Sequence, residues 1–467
     1  MFYMLGKVWA DGNLPYVDIV DVKGPLLMAV YAFAYLISPG NPYVVYLIHA
    51  LFVGITLFYS YRTALLFLHS STKSMLASAL IMLYVVNPLM FGGGNQSEII
   101  MIVPTAICLY HFIRTVIEGR VHFTDFIITG IAAGSCFSIC MLIKYNNILF
   151  PLALSALIFI HIIRARRNAV LLLCYCTAFC IGAALWALPF CIYFSATGIW
   201  DDFIRVYFTL NFSTYNSYQG SIVSFVNLIR LFGLSLQWVG ATMTIIIISS
   251  IAALPLKGDC RLFMRSSLLL LVASVYIPNA AGQYGYYLLM ISPLVIIPCT
   301  ALLNQWAHAP RWGTAGIAMG IIALCSIQFC GNWHNLNLYR ITSKPAPDVA
   351  FIERELAQHP ESKILYIGHL DEGFGLKSRV LPAIPEWCSL NGAPPTDAPA
   401  RAIARRIPDY VIESQWWEKP ELEEGCFATM KADRRSAILL RESGYHCIAS
   451  VKNPDDPRRI MLMWKRE

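Results

Sequence analysis

The chain has 467 residues, of which 57% are hydrophobic and only 13% are charged. A soluble globular protein carries about 25% charged residues, so this composition excludes a soluble enzyme and predicts a polytopic α-helical membrane protein. The formal net charge is +7, but in such a protein an excess of cations reflects basic cytoplasmic loops. We therefore expect the lipid bilayer as a partner, and no nucleic acid. The 14 cysteines show no CxxC or Cys/His ligand spacing, so no metal site is predicted.

The first 25 residues combine a short apolar segment with a polar loop. Residues 2–10 predict an interfacial helix that is too short to span a membrane. Prolines and glycines interrupt residues 12–25, which therefore predict an ordered loop. The loop places three charged side chains within six positions, namely Asp18, Asp21 and Lys23. Because charges at a membrane edge are costly to desolvate, we expect these residues to have a function.

Apolar segments dominate the next three hundred residues. Residues 25–38 are apolar but shorter than the roughly 20 residues that a span requires, so they predict a juxtamembrane helix. Each of the longer runs has about the length of a span, and together they predict about ten spans. These runs cover approximately residues 42–69, 74–92, 97–117, 124–142, 145–163, 168–195, 235–256, 262–280, 284–304 and 312–331.

The loops between these runs differ in charge. One set collects ten cations, which are Lys73, Arg114, Arg120, Arg164, Arg166, Arg167, Lys257, Arg261, Arg265 and Arg311. The short loops of the other set hold one, Lys144. Since cytoplasmic loops are enriched in Lys and Arg, the first set is predicted to be cytoplasmic. The 12–25 loop, the polar turns at 92–98 and 144–147, the 196–234 loop and the C-terminus then all lie outside.

The C-terminal region has a different pattern. From about residue 335, short apolar runs at 364–368, 410–412 and 460–464 alternate with helix-prone segments at 348–359 and 430–443. This alternation predicts a small α/β domain. The predicted domains are thus a transmembrane domain, residues 1–334, and an extracytoplasmic α/β domain, residues 335–467. A disulfide among Cys388, Cys426 and Cys447 is left open, because three cysteines do not define a pairing.

The charged loop offers groups suited to group transfer from a phospholipid donor. Asp18 or Asp21 would act as a general base or orient the acceptor, and Lys23 would hold the donor phosphate. The alternative is an interfacial salt bridge that only fixes the loop.

Three further segments carry candidate binding residues. Glu98 opens an apolar helix, where a carboxylate also serves as a helix cap. Lys144 lies beside Asn147 at an apolar boundary, where a lysine also extends to the lipid headgroups. Tyr284 and Tyr287, like the aromatic and amide side chains of residues 207–218, suit sugar binding but equally suit a belt at the membrane surface.

Together these segments carry a family resemblance. The segments 12–18 and 21–25, Gly94-Asn-Gln-Ser-Glu98, Lys144-Tyr-Asn-Asn147 and 284–293 resemble, in this order, the bacterial membrane glycosyltransferases of the GT-C fold. These are relatives of protein O-mannosyltransferases and of the aminoarabinose transferase that modifies lipid A. The resemblance covers residues 2–335, and a small extracytoplasmic domain after the last span also fits it.

The resemblance implies transfer of a sugar from a polyprenyl-phosphate donor to a glycan, lipid or protein acceptor. The reaction would occur at the outer face of the bacterial cytoplasmic membrane, without a nucleotide or other cofactor at the site. Asp18 and Asp21 would be catalytic, and Lys23 and Lys144 would bind the donor phosphate. The implied substrate contacts are Glu98, Asn147, Tyr284 and Tyr287.

The N-terminus departs from the family pattern. In these enzymes a first transmembrane helix and an acidic residue precede the segment that matches residues 2–5. The resemblance therefore predicts that the true start lies upstream; otherwise the chain lacks a principal catalytic carboxylate and is inactive as given.

Two functions from other classes predict different patterns. A transporter or flippase for lipid-linked glycans would carry ionisable residues near the middle of several spans. Here they cluster at predicted span ends, which favours the enzyme. A membrane scaffold that presents the C-terminal domain would tolerate the loss of Lys23, whereas the enzyme would not.

Overall fold

The structure is a computed structural model, and it describes most of the chain. The described residues are 2–41, 43–86, 96–118, 123–166, 168–211, 239–256, 260–280, 285–306, 315, 319, 347–368, 378–388, 397–416, 435–452 and 459–467. The chain divides into two compact units. The loop-and-sheet unit consists of Met1–Val44, Phe194–Ser221 and Tyr339–Glu467, and the helical unit consists of Val45–Tyr193 and Ile222–Leu338. The predicted domain boundary at residues 334 and 335 lies outside the described residues and stays a prediction.

Helices dominate the chain up to residue 306. In order, they are α1 (Phe2–Ala10), α2 (Pro25–Ile37), α3 (Tyr43–Leu68), α4 (Ser71–Val85), α5 (Glu98–Ile117), α6 (Phe123–Ile143), a 3₁₀ turn (Tyr145–Ile148), α7 (Leu149–Arg166), α8 (Ala169–Thr197), α9 (Trp200–Phe203), a π-helix (Ile204–Leu210), α10 (Val239–Ile251), α11 (Cys260–Ala280), a 3₁₀ helix (Gly285–Val295) and α12 (Ile296–Trp306). The short helices predicted at residues 2–10 and 25–38 are present as α1 and α2.

Several of these helices are suited to a bilayer. By length and composition, seven helical segments in the described ranges could cross a membrane: Tyr43–Leu68, Glu98–Ile117, Phe123–Ile143, Tyr145–Arg164, Ala169–Thr197, Arg261–Pro278 and Tyr286–Trp306. The predicted run at 74–92 overlaps the shorter helix α4, and the run at 235–256 contains the shorter helix α10. Almost all of the run at 312–331 lies outside the described residues. The polytopic helical architecture is confirmed, and the count of ten spans stays a prediction.

Glycines allow α6 and α8 to pack at close range. The segment Gly130-Ile-Ala-Ala-Gly134 on α6 carries two glycines one turn apart, a spacing that favours close helix packing in membranes. A Cβ atom at Gly134 would lie 1.9 Å from the carbonyl oxygen of Phe179 on α8. A Cβ atom at Gly182 on α8 would lie 2.2 Å from the carbonyl oxygen of Ile131. The two backbones thus meet where only glycine fits.

A methyl group at this crossing is expected to destabilise the protein. Overpacking costs about 1–3 kcal/mol, so Gly134→Ala should lower the free energy of unfolding by this amount. Gly54→Ala in α3 is the matched control, because a Cβ atom there meets nothing within 4 Å. We expect the control to be neutral or to stabilise by up to about 1 kcal/mol, the helix-propensity gain of alanine. Chemical unfolding in detergent measures the unfolding free energy of both variants. Equal changes in the two variants would contradict the close crossing of α6 and α8.

The C-terminal region contains the predicted α/β fold. Its elements are α13 (Pro347–Gln358), β1 (Lys363–Ile367), β2 (Leu381–Pro382), α14 (Ala398–Ala404), β3 (Tyr410–Trp416), α15 (Arg435–Glu442), β4 (Tyr445–Lys452) and β5 (Arg459–Arg466). The strand order is β2-β1-β3-β5-β4. Strands β2, β1 and β3 are parallel, and β5 pairs antiparallel with β3 and β4. The core includes Leu365, Val411, Leu440, Leu462 and Trp464.

Two details of this domain were left open or not predicted by the sequence. Strand β4 was not predicted, because its sequence mixes polar and apolar residues and it lies at the sheet edge. No disulfide joins Cys388 and Cys447. Cys426 lies outside the described residues.

An acidic residue joins α13 to the sheet. Glu355 Oε1 accepts hydrogen bonds from the Tyr410 hydroxyl at 2.8 Å and from Lys465 Nζ at 2.6 Å, and His359 Nε2 lies 3.6 Å away. The bond from Lys465 lowers the pKa of Glu355, and it raises the pKa of Lys465 in return. Burial is the main reason why the pKa of Tyr410 is raised to about 12.

This contact is expected to weaken in acid. Because the folded pKa of Glu355 is lowered, its stabilising effect is complete above the ordinary glutamate pKa of about 4.3 and is lost as the pH falls through the lowered value. Hydrogen exchange of the α13 amides should accelerate over that range in the parent, whereas Glu355→Gln should exchange fast at neutral pH. Glu361→Gln, at an exposed position of the same domain, is the control. Equal exchange in the two variants would contradict the role of Glu355.

Candidate functional site: a lysine loop and a buried ion pair

The predicted ordered loop lies between α1 and α2 and is closed by its own hydrogen bonds. The Tyr16 amide donates to the Ile19 carbonyl at 2.9 Å, and Pro15 forms a short β-bridge with Ile19. Asp18 Oδ2 accepts the Leu14 amide at 2.6 Å. Asp18 itself is exposed. Its carboxylate therefore closes the turn from the solvent side.

A segment of the C-terminal domain holds this loop from outside. The Val20 amide donates to the Pro385 carbonyl at 2.9 Å. Lys7 of α1 is fully buried, and its ammonium donates to the carbonyls of Ser378 at 2.7 Å and Val380 at 2.8 Å. The same segment contains β2, which pairs with β1 of the sheet. The first helix and the loop are thus anchored to the C-terminal sheet of the loop-and-sheet unit.

Asp21 occupies a different environment from Asp18. Only 1% of Asp21 is exposed, and its Oδ1 accepts the Lys23 amide at 2.8 Å. Burial raises the pKa of the Asp21 carboxyl above its ordinary value, and the nearby Lys23 charge partly offsets this. Of the two predicted carboxylates, Asp21 is therefore the buried one, and its low-dielectric surroundings raise its proton affinity.

Lys23 lies where an anion is favoured. It is partly buried, and within the described part of the chain its ammonium donates no hydrogen bond and forms no ion pair. The next residue, Gly24, is the N-cap of α2 and provides no side-chain cap, and the first turn of α2 has no acidic residue. The positive end of the helix dipole is thus left uncompensated beside the lysine. Helix N-termini with an adjacent cation bind phosphate groups.

Two residues that were not predicted as site residues support this loop. The Tyr16 hydroxyl donates to the Lys23 carbonyl at 2.9 Å. The buried Asn211 donates from Nδ2 to the carbonyls of Val22 at 2.8 Å and Tyr207 at 2.6 Å. Asn211 belongs to the aromatic and amide run noted in the sequence. It lies directly after a π-helix, which the sequence does not reveal by any recognisable pattern. π-Helices are frequent at functional sites.

The second cluster lies in the helical unit and is built around an ion pair. Lys144 Nζ is 2.8 Å from Glu98 Oε1, with 12% of the lysine side chain and none of the glutamate side chain exposed. The Ser97 hydroxyl donates to Glu98 Oε2 at 3.0 Å. The Lys144 ammonium also lies 3.3 Å from the ring centroid of Tyr287 and 5.9 Å from that of Tyr286. A buried charge is thus compensated by a carboxylate and an aromatic face.

Asn147 belongs to the same cluster. It is buried. Its backbone amide donates to the Lys144 carbonyl at 3.1 Å, and its side-chain Nδ2 donates to Asn146 Oδ1 at 3.2 Å. The structure therefore brings together Glu98, Lys144, Asn147 and Tyr287 from three separate segments. Tyr284 lies outside the described residues.

Comparison with known proteins supports the fold. No protein-family model and no curated protein sequence matches the chain. The crystal structure of ArnT from Cupriavidus metallidurans in the apo state is similar, with a TM-score of 0.58 and 13% identity over 99% of this chain and 92% of that chain. The structure of ArnT bound to undecaprenyl phosphate has a TM-score of 0.56 and 14% identity, with the same coverage. ArnT is an aminoarabinose transferase of the GT-C class, and the present chain is a multi-pass membrane protein with the GT-C fold.

Proposed function

We propose that the protein transfers a sugar from a polyprenyl-phosphate donor to a glycan, lipid or protein acceptor at the outer face of the bacterial cytoplasmic membrane. The main observation is the ammonium of Lys23, which has no hydrogen-bond or ion-pair partner among the described residues and lies at the start of α2, next to the buried carboxylate of Asp21. The fold similarity to ArnT, which was crystallised with undecaprenyl phosphate, supports a lipid phosphate as the ligand. The C-terminal α/β domain would lie outside the cytoplasm.

The chemistry is a single displacement at the anomeric carbon. The acceptor oxygen forms a bond to this carbon, the bond from the carbon to the phosphate oxygen breaks, and polyprenyl phosphate leaves with the bonding electron pair. Asp21 accepts the proton of the acceptor hydroxyl, and its raised pKa strengthens it as a base. Lys23 neutralises the charge that develops on the leaving phosphate. As the family resemblance implies, the anomeric configuration is inverted.

The other predicted residues take supporting roles in this proposal. Asp18 closes the loop through Leu14, so Asp21 is the preferred catalytic carboxylate. The ammonium of Lys144 is already engaged by Glu98 and Tyr287, so Lys23 is the preferred phosphate ligand. Glu98, Asn147, Tyr284 and Tyr287 stay proposed substrate contacts, through hydroxyl hydrogen bonds and ring stacking.

A transfer assay in membranes tests the proposal. Membranes from cells that produce the protein or its Asp21→Asn variant would receive polyprenyl phosphates that carry radiolabelled hexoses or pentoses. We expect the label to leave the lipid only with the parent protein. If the label stays on the lipid but crosses to the other leaflet, the protein is a transporter of lipid-linked glycan. If neither process occurs with any donor, the proposed donor class is wrong.

A further inference from the structure

The backbone around Lys23 is held at three consecutive polar groups. Asp21 Oδ1 accepts the Lys23 amide, the Tyr16 hydroxyl donates to the Lys23 carbonyl, and Asn211 donates to the preceding carbonyl, that of Val22. The peptide groups on both sides of the Lys23 Cα atom are therefore fixed. A lysine side chain has a flexible four-carbon stem, so a fixed Cα position limits where its ammonium can reach.

Tyr16 is held in a conformation that tyrosine rarely adopts. Its φ angle is +69°, in the left-handed region, and the residue is fully buried. Strained backbone at non-glycine residues persists only where the surroundings enforce it, and it is concentrated at functional sites. Here the tyrosine ring packs against Phe203 at 5.4 Å and Phe194 at 6.3 Å between ring centroids. In this backbone conformation the Tyr16 hydroxyl reaches the Lys23 carbonyl and donates a hydrogen bond to it.

The same aromatic cluster leads to the second anchor. Phe203 stacks on Tyr207 with ring centroids 5.6 Å apart and an interplanar angle of 18°. Tyr207 lies in the π-helix that directly precedes Asn211, and its carbonyl accepts a hydrogen bond from Asn211 Nδ2. One packed group of residues thus orients both donors, the Tyr16 hydroxyl and the Asn211 amide.

We propose that Tyr16 and Asn211 are positioning residues that set the location of the Lys23 ammonium for the donor phosphate. This inference rests on the proposed function, because it assigns a phosphate to Lys23. Neither residue touches the substrate in this assignment. Each acts through a carbonyl next to the lysine, so its removal weakens phosphate binding only when Lys23 is present.

Binding of undecaprenyl phosphate to the purified protein in detergent tests this assignment. Tyr16→Phe removes only the hydroxyl, and Tyr3→Phe is its matched control, because the Tyr3 hydroxyl donates to the Ser38 carbonyl at the same 2.9 Å in the same compact unit. We expect Tyr16→Phe to raise the Kd about tenfold, and Tyr3→Phe to leave it nearly unchanged. Asn211→Ala should behave like Tyr16→Phe. Its control is Asn13→Ala, which removes an amide donor to the Val8 carbonyl.

A double-mutant cycle separates positioning from general stability. In the Lys23→Met background, Tyr16→Phe should have no further effect on the Kd. Equal weakening with and without Lys23, or an effect of Tyr3→Phe as large as that of Tyr16→Phe, would overturn the inference while leaving the proposed function intact. If Lys23→Met binds as tightly as the parent, the assignment of the phosphate to Lys23 fails instead. If Tyr16→Phe does not fold, the Asn211→Ala cycle decides.

Discussion

Lys23→Met is expected to lower kcat/KM for the polyprenyl-phosphate donor about 100- to 1,000-fold, the usual effect of removing one group that stabilises developing charge. Methionine keeps the apolar stem and removes the ammonium. The backbone bonds of residue 23 to Asp21 and Tyr16 do not involve the side chain, so the loop should keep its conformation. Steady-state transfer from a radiolabelled donor in membranes measures the loss.

The control for this variant is another lysine of the same compact unit. Lys363 begins β1 with an exposed side chain, so Lys363→Met should change transfer by no more than about twofold, as for most surface substitutions. A Lys23→Met protein that unfolds like the parent and transfers at more than a third of its rate would show that Lys23 does not face the phosphate.

The second large effect is expected at the ion pair of the helical unit. Glu98→Gln leaves the Lys144 ammonium buried without a carboxylate, and breaking a buried pair in this way costs about 3–5 kcal/mol of unfolding free energy. The Tyr287 ring keeps part of the stabilisation, because it still faces the ammonium. The double variant Glu98→Gln/Lys144→Met removes both charges. Its loss of unfolding free energy should be about 2–3 kcal/mol smaller than the sum of the losses in the two single variants.

An exposed ion pair provides the matched cycle. Arg205 Nη2 lies 2.6 Å from Asp202 Oδ1, with 68% and 35% of the two side chains exposed. Because exposed pairs contribute about 0–1 kcal/mol, the corresponding cycle, Asp202→Asn with Arg205→Met, should give little coupling. Chemical unfolding in detergent measures both cycles. Equal coupling energies would mean that burial does not strengthen the Glu98–Lys144 pair.

Local sequence patterns predicted the ordered loop because prolines and glycines restrict the backbone wherever they occur. They also indicated Lys23, since a charge next to an apolar run is costly in any fold. They did not separate Asp18 from Asp21, because the two carboxylates are three residues apart in the same polar stretch. Only the folded loop exposes Asp18 and buries Asp21.

The contacts that support the loop come from distant parts of the chain. Lys7 binds the carbonyl of Ser378, 371 residues away, and Asn211 binds that of Val22, 189 residues away. Such pairs are set by packing, and neither partner has a distinctive pattern in the sequence. Tyr16 lies in the segment 12–18 that carries the family resemblance, but the left-handed φ angle that directs its hydroxyl to Lys23 depends on the surrounding aromatic rings.

The sequence by itself determined the membrane class, most helices and three strands of the C-terminal sheet. These follow from composition, from hydrophobic runs of span length and from alternating patterns, all of which act over short distances along the chain. The GT-C fold was predicted from the family resemblance of the motifs, and not from these patterns. Tertiary structure alone decided that the N-terminal loop is anchored to the C-terminal sheet, and that Glu98 pairs with Lys144 across 46 residues. It also decided that, in the described ranges, the Lys23 ammonium has no hydrogen-bond or ion-pair partner, because the burial and pairing of a charge depend on which distant segments pack around it.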